Sequence, residues 1–313
     1  MRIIVFGSSN TDLTVRLPRL PAAGQTVVGS TFATTPGGKG ANQAVAACRA
    51  GGEVVFVTAV GSDDLGGRAL ELYRRQGIDI SHARICEGVA SGVALIFVGE
   101  DGENMIGVAP GANHRLTPED VDRLPVSVFR KEDVLLTGFE IPVETAARAI
   151  ERGSQAGMRI ILNPAPAPPS RDFATRALLS LVDILTPNRL EALALAGMEG
   201  GSASEPDWNL CADRLMQAGA HAVVITLGAQ GCLVATSASK LKVAAPRVDA
   251  IDSVGAGDAF NGALAVALGE NRSLEEAAAW ATAAAALAVT QPGAQSALPF
   301  REAIDAMAAR ARV

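Results

Sequence analysis

The sequence predicts an α/β fold in which a mainly parallel central sheet is flanked by helices. Short runs of β-branched and aliphatic residues alternate with helical patterns along most of the 313-residue chain. The strand-like runs are apolar on both faces, which is typical of parallel strands covered by helices on both sides. Right-handed crossovers are expected between them. The length fits one large domain, so we expect residues 1–313 to form a single α/β unit.

The predicted elements follow in order along the chain. Strands are predicted at 2–7, 54–60, 133–138, 159–163, 183–188 and 222–228. Helices are predicted between them at 40–51, 64–76, 142–156, 172–180, 189–196 and 208–218. Thr117 and Pro118 have the composition of a helix start, with Thr as the N-cap and Pro at the first helical position. The C-terminal third contains three further helical patterns, near 258–269, 274–289 and 300–311.

Two regions break the alternation and predict a small protruding β-sheet, which we call the lid. Residues 13–35 and 92–109 resemble strands that lack crossover helices, and the Gly-Glu-Asp-Gly turn at 99–102 indicates a hairpin. The strand 93–98 is apolar on both faces, so one face could cover a ligand and the other could contact a second subunit. The alternative is that both faces pack on the parent domain.

Composition and charge exclude several classes of protein. The net charge of −6 argues against general nucleic-acid binding, which needs a basic face. The N-terminus enters a strand directly without a signal-peptide layout, and the longest apolar helix is too short to span a membrane. None of the cysteines forms a CxxC pair, which favours free thiols in a reducing cytosol; they are Cys48, Cys86, Cys211 and Cys232. These features predict a cytoplasmic protein.

The segment IDSVGAGDAFNG at 251–262 carries the strongest chemical signal. Unpaired amides at a helix start attract anions, and Gly255 and Gly257 let the backbone approach a phosphate closely. Asp258 would be a liability beside bound phosphate unless it takes a proton from an attacking hydroxyl. The segment therefore predicts phosphoryl transfer to an alcohol. The alternative is an Asp that caps a helix after a glycine turn.

Two segments near the N-terminus offer groups for a polyhydroxylated or anionic ligand. PGGKGAN at 36–42 opens a helix with glycines, one cation and a terminal Asn, but it is not a Walker A loop. GSSNTD at 7–12 lacks the dinucleotide fingerprint, yet it places Asn10 and Asp12 at the carboxyl end of a strand, where ligands bind in open α/β sheets. A structural helix start and a capped turn are the respective alternatives.

Three further segments follow predicted strands. Glu140 follows the strand at 133–138. TPNRLE at 186–191 brings Asn188 and Glu191 to one end of a helix, where they could hold a hydrated Mg²⁺ or form a capping box. TLGAQG at 226–231 could line a nucleotide phosphate or form a hairpin turn. Their shared placement at carboxyl ends of strands favours one common site.

With these motifs in order, the chain resembles the PfkB-type carbohydrate kinases, the ribokinase-like family. The resemblance runs nearly end to end and includes GSSNTD, PGGKGANQAVAA, SGVALIFV, NPAPA, ITLGAQG and DSVGAGDAFNGAL. It implies a ribokinase-like three-layer sandwich with the lid over the sugar, and paired lids forming a homodimer. It also implies ATP-dependent phosphorylation of D-ribose at the 5-hydroxyl, without nucleic-acid or membrane partners.

The resemblance assigns roles to individual residues. Asp258 would deprotonate the sugar hydroxyl, and the amides of Gly255, Ala256 and Gly257 would form the anion hole. The implied ribose-binding residues are Asn10, Asp12, Gly38, Lys39, Gly40, Ala41, Asn42, Glu140 and Asp258. The implied nucleotide-binding residues are Asn188, Thr226, Leu227, Gly228, Ala229, Gln230, Gly231 and Gly257.

The resemblance also implies two cations. Asn188 and Glu191 would position Mg²⁺ with ATP, largely through water. A K⁺ site would be formed mostly by backbone carbonyls at Asp252, Val254, Ala288, Gln291, Gly293 and Ala297. The family usually has Ser at the last of these positions, whereas here Ser296 lies one residue earlier. Thr282 stands where relatives often carry His or Asn near the adenine, so local nucleotide contacts are expected to differ.

Other activities stay open on the sequence alone. Within the same class, the acceptor could be another small sugar or a nucleoside, although the aromatic content of 4% disfavours a large stacking platform. A different class is a non-catalytic sugar or nucleotide sensor on the same fold. The presence of Asp258, the glycine turn and the 188/191 pair argues against a sensor.

Overall fold

A computed structural model describes residues 1–167, 176–198 and 206–310. Its central feature is an eight-stranded sheet with the order β14-β13-β12-β11-β10-β9-β1-β4. The strands from β12 to β4 run parallel to their neighbours, whereas β13 and β14 add an antiparallel edge. The sheet is therefore mainly parallel, as the sequence predicts.

The bounds of the elements are as follows. The strands of the central sheet are β1 Arg2–Phe6, β4 Glu53–Val57, β9 Val134–Gly138, β10 Arg159–Asn163, β11 Ile184–Leu185, β12 Ala222–Thr226, β13 Cys232–Ala235 and β14 Lys240–Val243. The helices are α1 Lys39–Arg49, α2 Asp64–Arg75, α3 Pro118–Arg123, α4 Val143–Gln155, α5 Arg176–Leu179, α6 Arg189–Ala196, α7 Trp208–Gln217, α8 Ala256–Gly269, α9 Leu274–Ala288 and α10 Arg301–Arg310.

Two apolar cores cover the two faces of the sheet. Along β1, Ile3 and Val5 point into one core, while Ile4 and Phe6 point into the other. The first core contains residues of α1, α2, α8, α9 and α10, and the second contains residues of α3 to α7. Because successive side chains of a strand alternate between faces, this pattern places helices on both sides of the sheet. The result is the expected three-layer sandwich.

The lid is a separate four-stranded sheet with the order β3-β2-β7-β8. Its strands are β2 Asn10–Leu17, β3 Thr31–Gly37, β7 Gly92–Gly99 and β8 Asn104–Ala109, close to the predicted ranges. Every residue of β8 is exposed, and so are the first five residues of β3. The alternative in which both lid faces pack on the parent domain is therefore wrong.

Pairing across the lid assigns its side chains to two faces. Asp12 is paired with Ala94, which is in turn paired with Val108, so these residues share one face. Leu13 is paired with Leu95 on the opposite face. Large apolar side chains are exposed on both faces: Ile106 and Val108 on the Asp12 side, and Phe32, Leu95 and Met105 on the other.

Several predicted bounds are corrected. The predicted strand 54–60 divides at Thr58 into β4 and a short strand β5, Ala59–Gly61, which pairs with β6, Arg84–Cys86, in a separate two-stranded sheet. The predicted strand 183–188 is regular only in β11, since the chain leaves the sheet to enter α6. Within the predicted helix 172–180, the structure shows α5 at Arg176–Leu179. Residues 172–175 of that helix, and residue 311 of the predicted helix 300–311, lie outside the described part of the chain.

The predicted helix start at Thr117 is confirmed. Thr117 accepts a hydrogen bond from the amide of Asp120, whose side chain accepts from the amide of Thr117 in return, and Pro118 is the first helical residue. Within the described ranges, no helix is long and apolar enough to cross a membrane.

Candidate active site

Several predicted site residues, together with Ser8 and Asn163, converge at the carboxyl ends of the parallel strands. Ser8 follows β1, Glu140 follows β9, Asn163 ends β10, Asn188 follows β11, and Thr226 ends β12. This edge of an open α/β sheet is where the crossover connections leave a crevice for ligands. Helices α1 and α8 begin at the same edge and bring their first turns to it, as the hydrogen bonds between them show.

The first turn of α8 has the glycine-rich backbone that the sequence predicts for an anion site. Gly255 caps the helix with φ of 78°, a conformation that disfavours any residue with a Cβ, and a Cβ there would lie 3.1 Å from Ala294 Cα. A Cβ placed on Gly257 would meet no heavy atom within 4 Å, so the backbone at Gly257 faces open space. The Ala256 amide is partly engaged in a 3.3 Å turn bond to Ser253 O.

Asp258 lies at the third position of α8 and is only 7% exposed. Asn42 Nδ2 donates to its Oδ2 at 2.9 Å, and Gln43 Nε2 donates to its Oδ1 at 3.1 Å. Burial raises the pKa of Asp258 to about 6, although the Lys39 ammonium and the two amide donors favour the ionised form. Such a group is ionised at neutral pH yet basic enough to accept a proton.

Helix α1 starts against the end of β1, and this close approach requires glycine. A Cβ on Gly40 would lie 2.5 Å from backbone atoms of Gly7 and Ser8. The Ala41 amide donates to Ser8 O at 2.8 Å, which fixes the helix start on the loop after β1. The close contact directs Asn42 and the following Gln43 toward Asp258.

Glu140 is held at one carboxylate oxygen by two donors. Ser8 Oγ donates to Glu140 Oε2 at 2.6 Å, and the Lys39 amide donates to the same oxygen at 2.9 Å. These contacts connect the segment after β9 to the start of α1. They place the Glu140 carboxylate beside residues 36–42, the PGGKGAN segment, which we call the sugar loop.

Asn10 and Asp12 lie on β2, at the base of the lid. Asn10 is buried, and its Oδ1 accepts a hydrogen bond of 2.7 Å from Asn113 Nδ2. Burial raises the pKa of Asp12 to about 6, with smaller contributions from the carboxylates of Glu140 and Asp258, and the Lys39 ammonium acts in the opposite direction. Asp12 therefore belongs to a group of interacting charges that also contains Glu140, Lys39 and Asp258.

Lys39 is the cation at the centre of this group. Burial disfavours its charged form, but the carboxylates of Asp258, Glu140, Glu191 and Asp12 outweigh that effect and raise the pKa of Lys39. The Lys39 side chain is therefore charged at neutral pH and offsets part of the negative charge that surrounds it.

Asn188 and Glu191 form a reciprocal capping box at the start of α6. The Asn188 side chain accepts from the Glu191 amide at 2.9 Å, and Glu191 Oε2 accepts from the Asn188 amide at 2.8 Å. Burial raises the pKa of Glu191, while the Asn188 amide and Lys39 lower it and the Asp258 charge adds to the increase. The capping box, which the sequence offered as the alternative to a Mg²⁺ site, is therefore present. The Glu191 carboxylate nevertheless interacts electrostatically with Lys39 and Asp258.

Thr226 and the turn that follows it lie next to Asn188. Asn188 and Thr226 form an isolated parallel β-bridge, and the Thr226 amide donates to Pro187 O at 3.0 Å. Residues 228–230 form a 3-10 turn between β12 and β13, so the predicted hairpin is present. A Cβ on Gly228 would meet no heavy atom within 4 Å, whereas the Leu227 side chain is buried in the core.

The predicted cation loops are joined by one carboxylate. Asp252 Oδ1 accepts from the Val254 amide at 3.0 Å, and Asp252 Oδ2 accepts from the Gly293 amide at 2.8 Å. Ser296 Oγ donates to Pro292 O at 2.9 Å. Ala288 ends α9 just before this loop, and the remaining predicted positions, Gln291 and Ala297, lie within it.

Four residues that sequence reasoning missed belong to the same hydrogen-bonded site. Ser8 holds Glu140, Asn113 holds Asn10, and Gln43 and Asn163 lie behind Asp258. Gln43 directly follows the PGGKGAN motif and Ser8 lies inside GSSNTD, so position next to a motif was the available signal. Asn113 offered no comparable signal, since its contact spans 103 residues.

Comparison with known proteins places the chain in a family. A family model described as "pfkB family carbohydrate kinase" matches residues 1–301. A ribokinase from Haemophilus influenzae is 38% identical over 300 residues, covering 96% of each chain. A deoxyribokinase from Salmonella typhi is 34% identical over 302 residues, covering 96% of this chain and 97% of its own.

Solved structures agree with the sequence comparison. The structure of Arabidopsis thaliana ribokinase complexed with ribose and ATP superimposes with a TM-score of 0.87 at 29% identity, covering 98% of each chain. This likeness confirms the expected ribokinase-like α/β fold. Since the family model and these relatives span almost the whole sequence, the chain belongs to the pfkB family of carbohydrate kinases.

Proposed function

We propose that the protein transfers the γ-phosphoryl group of ATP to the 5-hydroxyl of D-ribose, giving D-ribose 5-phosphate and ADP. One observation carries this proposal: Asp258 lies in the first turn of α8, at the anion site, and is hydrogen-bonded to Asn42 of the sugar loop. A base, a phosphate site and a sugar site therefore meet at one carboxylate.

The sugar site is polar and small. Asn42 Oδ1 is buried without a hydrogen-bond partner among the described residues, so it offers an acceptor to a sugar hydroxyl. Asp12 and Glu140 add carboxylate oxygens that accept hydrogen bonds from adjacent hydroxyls. The high similarity to ribokinases supports ribose as the sugar.

In the proposed reaction, Asp258 takes the proton from the 5-hydroxyl as the sugar oxygen attacks the γ-phosphorus. The bond between that phosphorus and the β,γ-bridging oxygen breaks, and ADP leaves with the bond electrons. Backbone amides at 255–257 and the nearby Lys39 ammonium stabilise the charge that develops on the phosphoryl oxygens. Catalysis is mostly positioning and electrostatic stabilisation.

The residues around Asn188 and the 228–230 turn fit a nucleotide carrying a hydrated Mg²⁺. The capping box leaves Glu191 one carboxylate oxygen for a water-mediated contact, and the described part of the chain has no cluster of three metal-ligating side chains. Mg²⁺ keeps most of its water and binds chiefly through substrate phosphates, so this sparse donor set suffices. When bound, the ion neutralises charge on the phosphate oxygens.

The loops joined by Asp252 fit a K⁺ site. Asp252 fixes the backbone at Val254 and Gly293, which would let neighbouring carbonyls face a common point. A carbonyl cage needs such a rigid scaffold, and loss of K⁺ activation in Asp252→Ala would support the assignment. Equal activation of Asp252→Ala and the parent protein by K⁺ would contradict it.

The exposed apolar side chains of the lid support a homodimer. Phe32, Leu95 and Met105 share the face opposite Asp12 and are 65%, 49% and 48% exposed. A second lid packed on this face would bury them.

The free cysteines in the described structure fit the reducing cytoplasm in which we expect the enzyme to work.

The first test is ADP release from purified protein with ATP, Mg²⁺ and K⁺, with and without D-ribose. We expect strong D-ribose-dependent release, and ¹³C and ³¹P NMR should locate the new phosphate on C5. Parallel reactions with 2-deoxy-D-ribose and with a nucleoside separate the related acceptors. Binding of sugar and ATP without any ADP release would favour a sensor and contradict the proposal.

A further inference from the structure

Behind Asp258 lies a chain of buried side-chain amides. Gln43 Nε2 lies 3.1 Å from Asp258 Oδ1 and 3.0 Å from Asn163 Oδ1. Asn163 Nδ2 donates to the backbone carbonyl of Thr186 at 2.8 Å. Gln43 and Asn163 are 2% and 8% exposed, so these polar groups depend on one another for hydrogen bonds.

The carbonyl at the end of this chain sets the direction of every hydrogen bond in it. Because Thr186 O can only accept, Asn163 turns its NH₂ group to that carbonyl and its Oδ1 to Gln43. Gln43 must then present its own NH₂ group. The two hydrogens of that group go to Asn163 Oδ1 and Asp258 Oδ1, so Asp258 receives a donor.

The far end of the chain is attached to the helix that carries Asp258. Thr186 Oγ1 donates to Asn261 Oδ1 at 2.6 Å, and Asn261 Nδ2 donates to the Gly257 carbonyl at 2.8 Å. Thr186, whose carbonyl fixes the direction of the amides, directly follows β11 and is thus linked to the first turn of α8. Movement of this turn would disturb the anion site and the carboxylate together.

We propose that Gln43 and Asn163 are positioning residues that hold Asp258 as an ionised proton acceptor through a hydrogen-bond relay of fixed direction. The proposal rests on the proposed function, because it takes Asp258 as the base. A hydrogen bond donated to the carboxylate stabilises its charged form and fixes the rotamer that faces the sugar. Neither residue needs to touch the sugar or the nucleotide.

Other charges face Asp258 from four separate elements. Lys39 comes from α1, Glu140 from the segment after β9, Asp12 from β2 and Glu191 from α6. Substitution of Gln43 or Asn163 leaves all four in the protein. A change in the pH dependence of such variants therefore reports on the relay.

The test is the pH dependence of kcat in Gln43→Met, which removes the donor but keeps the size of the side chain. Loss of a hydrogen bond to a charged group should move the acidic limb of the kcat profile up by about one pH unit. At pH values below the limb, kcat of Gln43→Met should be about tenfold lower than kcat of the parent protein. KM for D-ribose and for ATP should stay within about twofold of the parent values.

Two further variants control this measurement. Gln76→Met makes the same substitution at the C-cap of α2, where the Gln76 side chain accepts one hydrogen bond from Arg49 Nε, and should keep the parent profile. Asn163→Ala leaves Gln43 in place but frees its amide to rotate, so we expect a shift in the same direction and of smaller size. Asn163→Ala also supplies the test if Gln43→Met fails to fold.

A purely structural role for Gln43 predicts a different result. Turnover would then fall equally at every pH, with a lower Tm and an unmoved acidic limb, and the relay would be overturned. Side-chain amide NMR of the parent protein adds a test without mutation: both Gln43 Nε2 protons should exchange slowly with solvent. Fast exchange of the proton directed at Asp258 would also overturn it.

Failure of the relay differs from failure of the proposed function. If the parent protein lacks D-ribose-dependent ADP release, the proposed function is wrong; if the parent is active and Asp258→Asn retains that release, Asp258 is not the base. If the parent is active, Asp258→Asn is inactive, and both relay variants keep the parent acidic limb, only the relay is wrong.

Discussion

Asn42 and Asp258, which lie 216 positions apart in the chain, are joined by a hydrogen bond of 2.9 Å from Asn42 Nδ2 to Asp258 Oδ2. The other amide atom, Asn42 Oδ1, is buried without a partner among the described residues. A buried acceptor left unpaired costs about 1–3 kcal/mol, so a hydroxyl donor there would be stabilised. The pair therefore marks the place expected for the sugar hydroxyl next to the base.

Asp258→Asn should abolish most turnover while the fold is retained. Asn keeps the shape of the side chain but cannot accept the hydroxyl proton, and general-base catalysis is worth about 10²–10⁴ in rate. Steady-state ADP release should fall by that factor, with D-ribose binding still detectable by calorimetry. Asp213→Asn, on the surface of α7, is the matched control. Near-normal turnover of Asp258→Asn would exclude Asp258 as the base.

The rate should depend on pH through the ionised form of Asp258. Burial raises its pKa to about 6, and only the carboxylate can accept a proton. At saturating ATP, kcat/KM for D-ribose should therefore fall as the pH drops below about 6, approaching tenfold per pH unit. Initial rates between pH 5 and 8 at constant ionic strength provide the measurement. A flat profile down to pH 5 would contradict this assignment.

Asp12→Asn should stabilise the fold at high pH while weakening sugar binding. Burial raises the pKa of Asp12 from 3.8 to about 6, so the folded state binds the proton more tightly than the unfolded chain. The ionised carboxylate then costs stability, and the cost grows as the pH rises from about 4 to about 6 and is constant above.

Thermal unfolding of Asp12→Asn at two pH values checks this sign. We expect Tm to rise by about 2 °C at pH 8 and by less at pH 5. Asp101→Asn in the exposed lid turn should change Tm little at either pH. A lower Tm of Asp12→Asn at pH 8, or a larger gain at pH 5, would show that Asp12 stabilises the fold.

A charge on the lid face opposite Asp12 should dissociate the proposed dimer. Leu95 lies on the face opposite Asp12 and is 49% exposed in the single chain. We expect the parent protein to sediment as a dimer and Leu95→Asp as a monomer, because burying an unpaired carboxylate in an apolar interface is unfavourable. Val126→Asp places the same charge at an exposed apolar residue away from the lid. A monomeric parent protein would contradict the dimer.

Local patterns predicted most elements because they depend on neighbouring residues. The alternation of apolar runs with amphipathic stretches predicted β1, β9, β10 and β12 to within two residues, and the Thr117-Pro118 start of α3 was confirmed. The break at Thr58 was missed, since a continuous apolar run does not reveal that its second half pairs in another sheet.

The sequence by itself determined the α/β class, the lid and the glycine turn that puts Asp258 at a helix start. Each of these follows from residue periodicity or from the backbone freedom of glycine, which act over a few residues. Only the tertiary structure decided which groups surround Asp258. Gln43 lies 215 residues from it and 120 from Asn163, and contacts at such separations depend on sheet order and helix packing. The relay behind the base is thus a property of the packed fold.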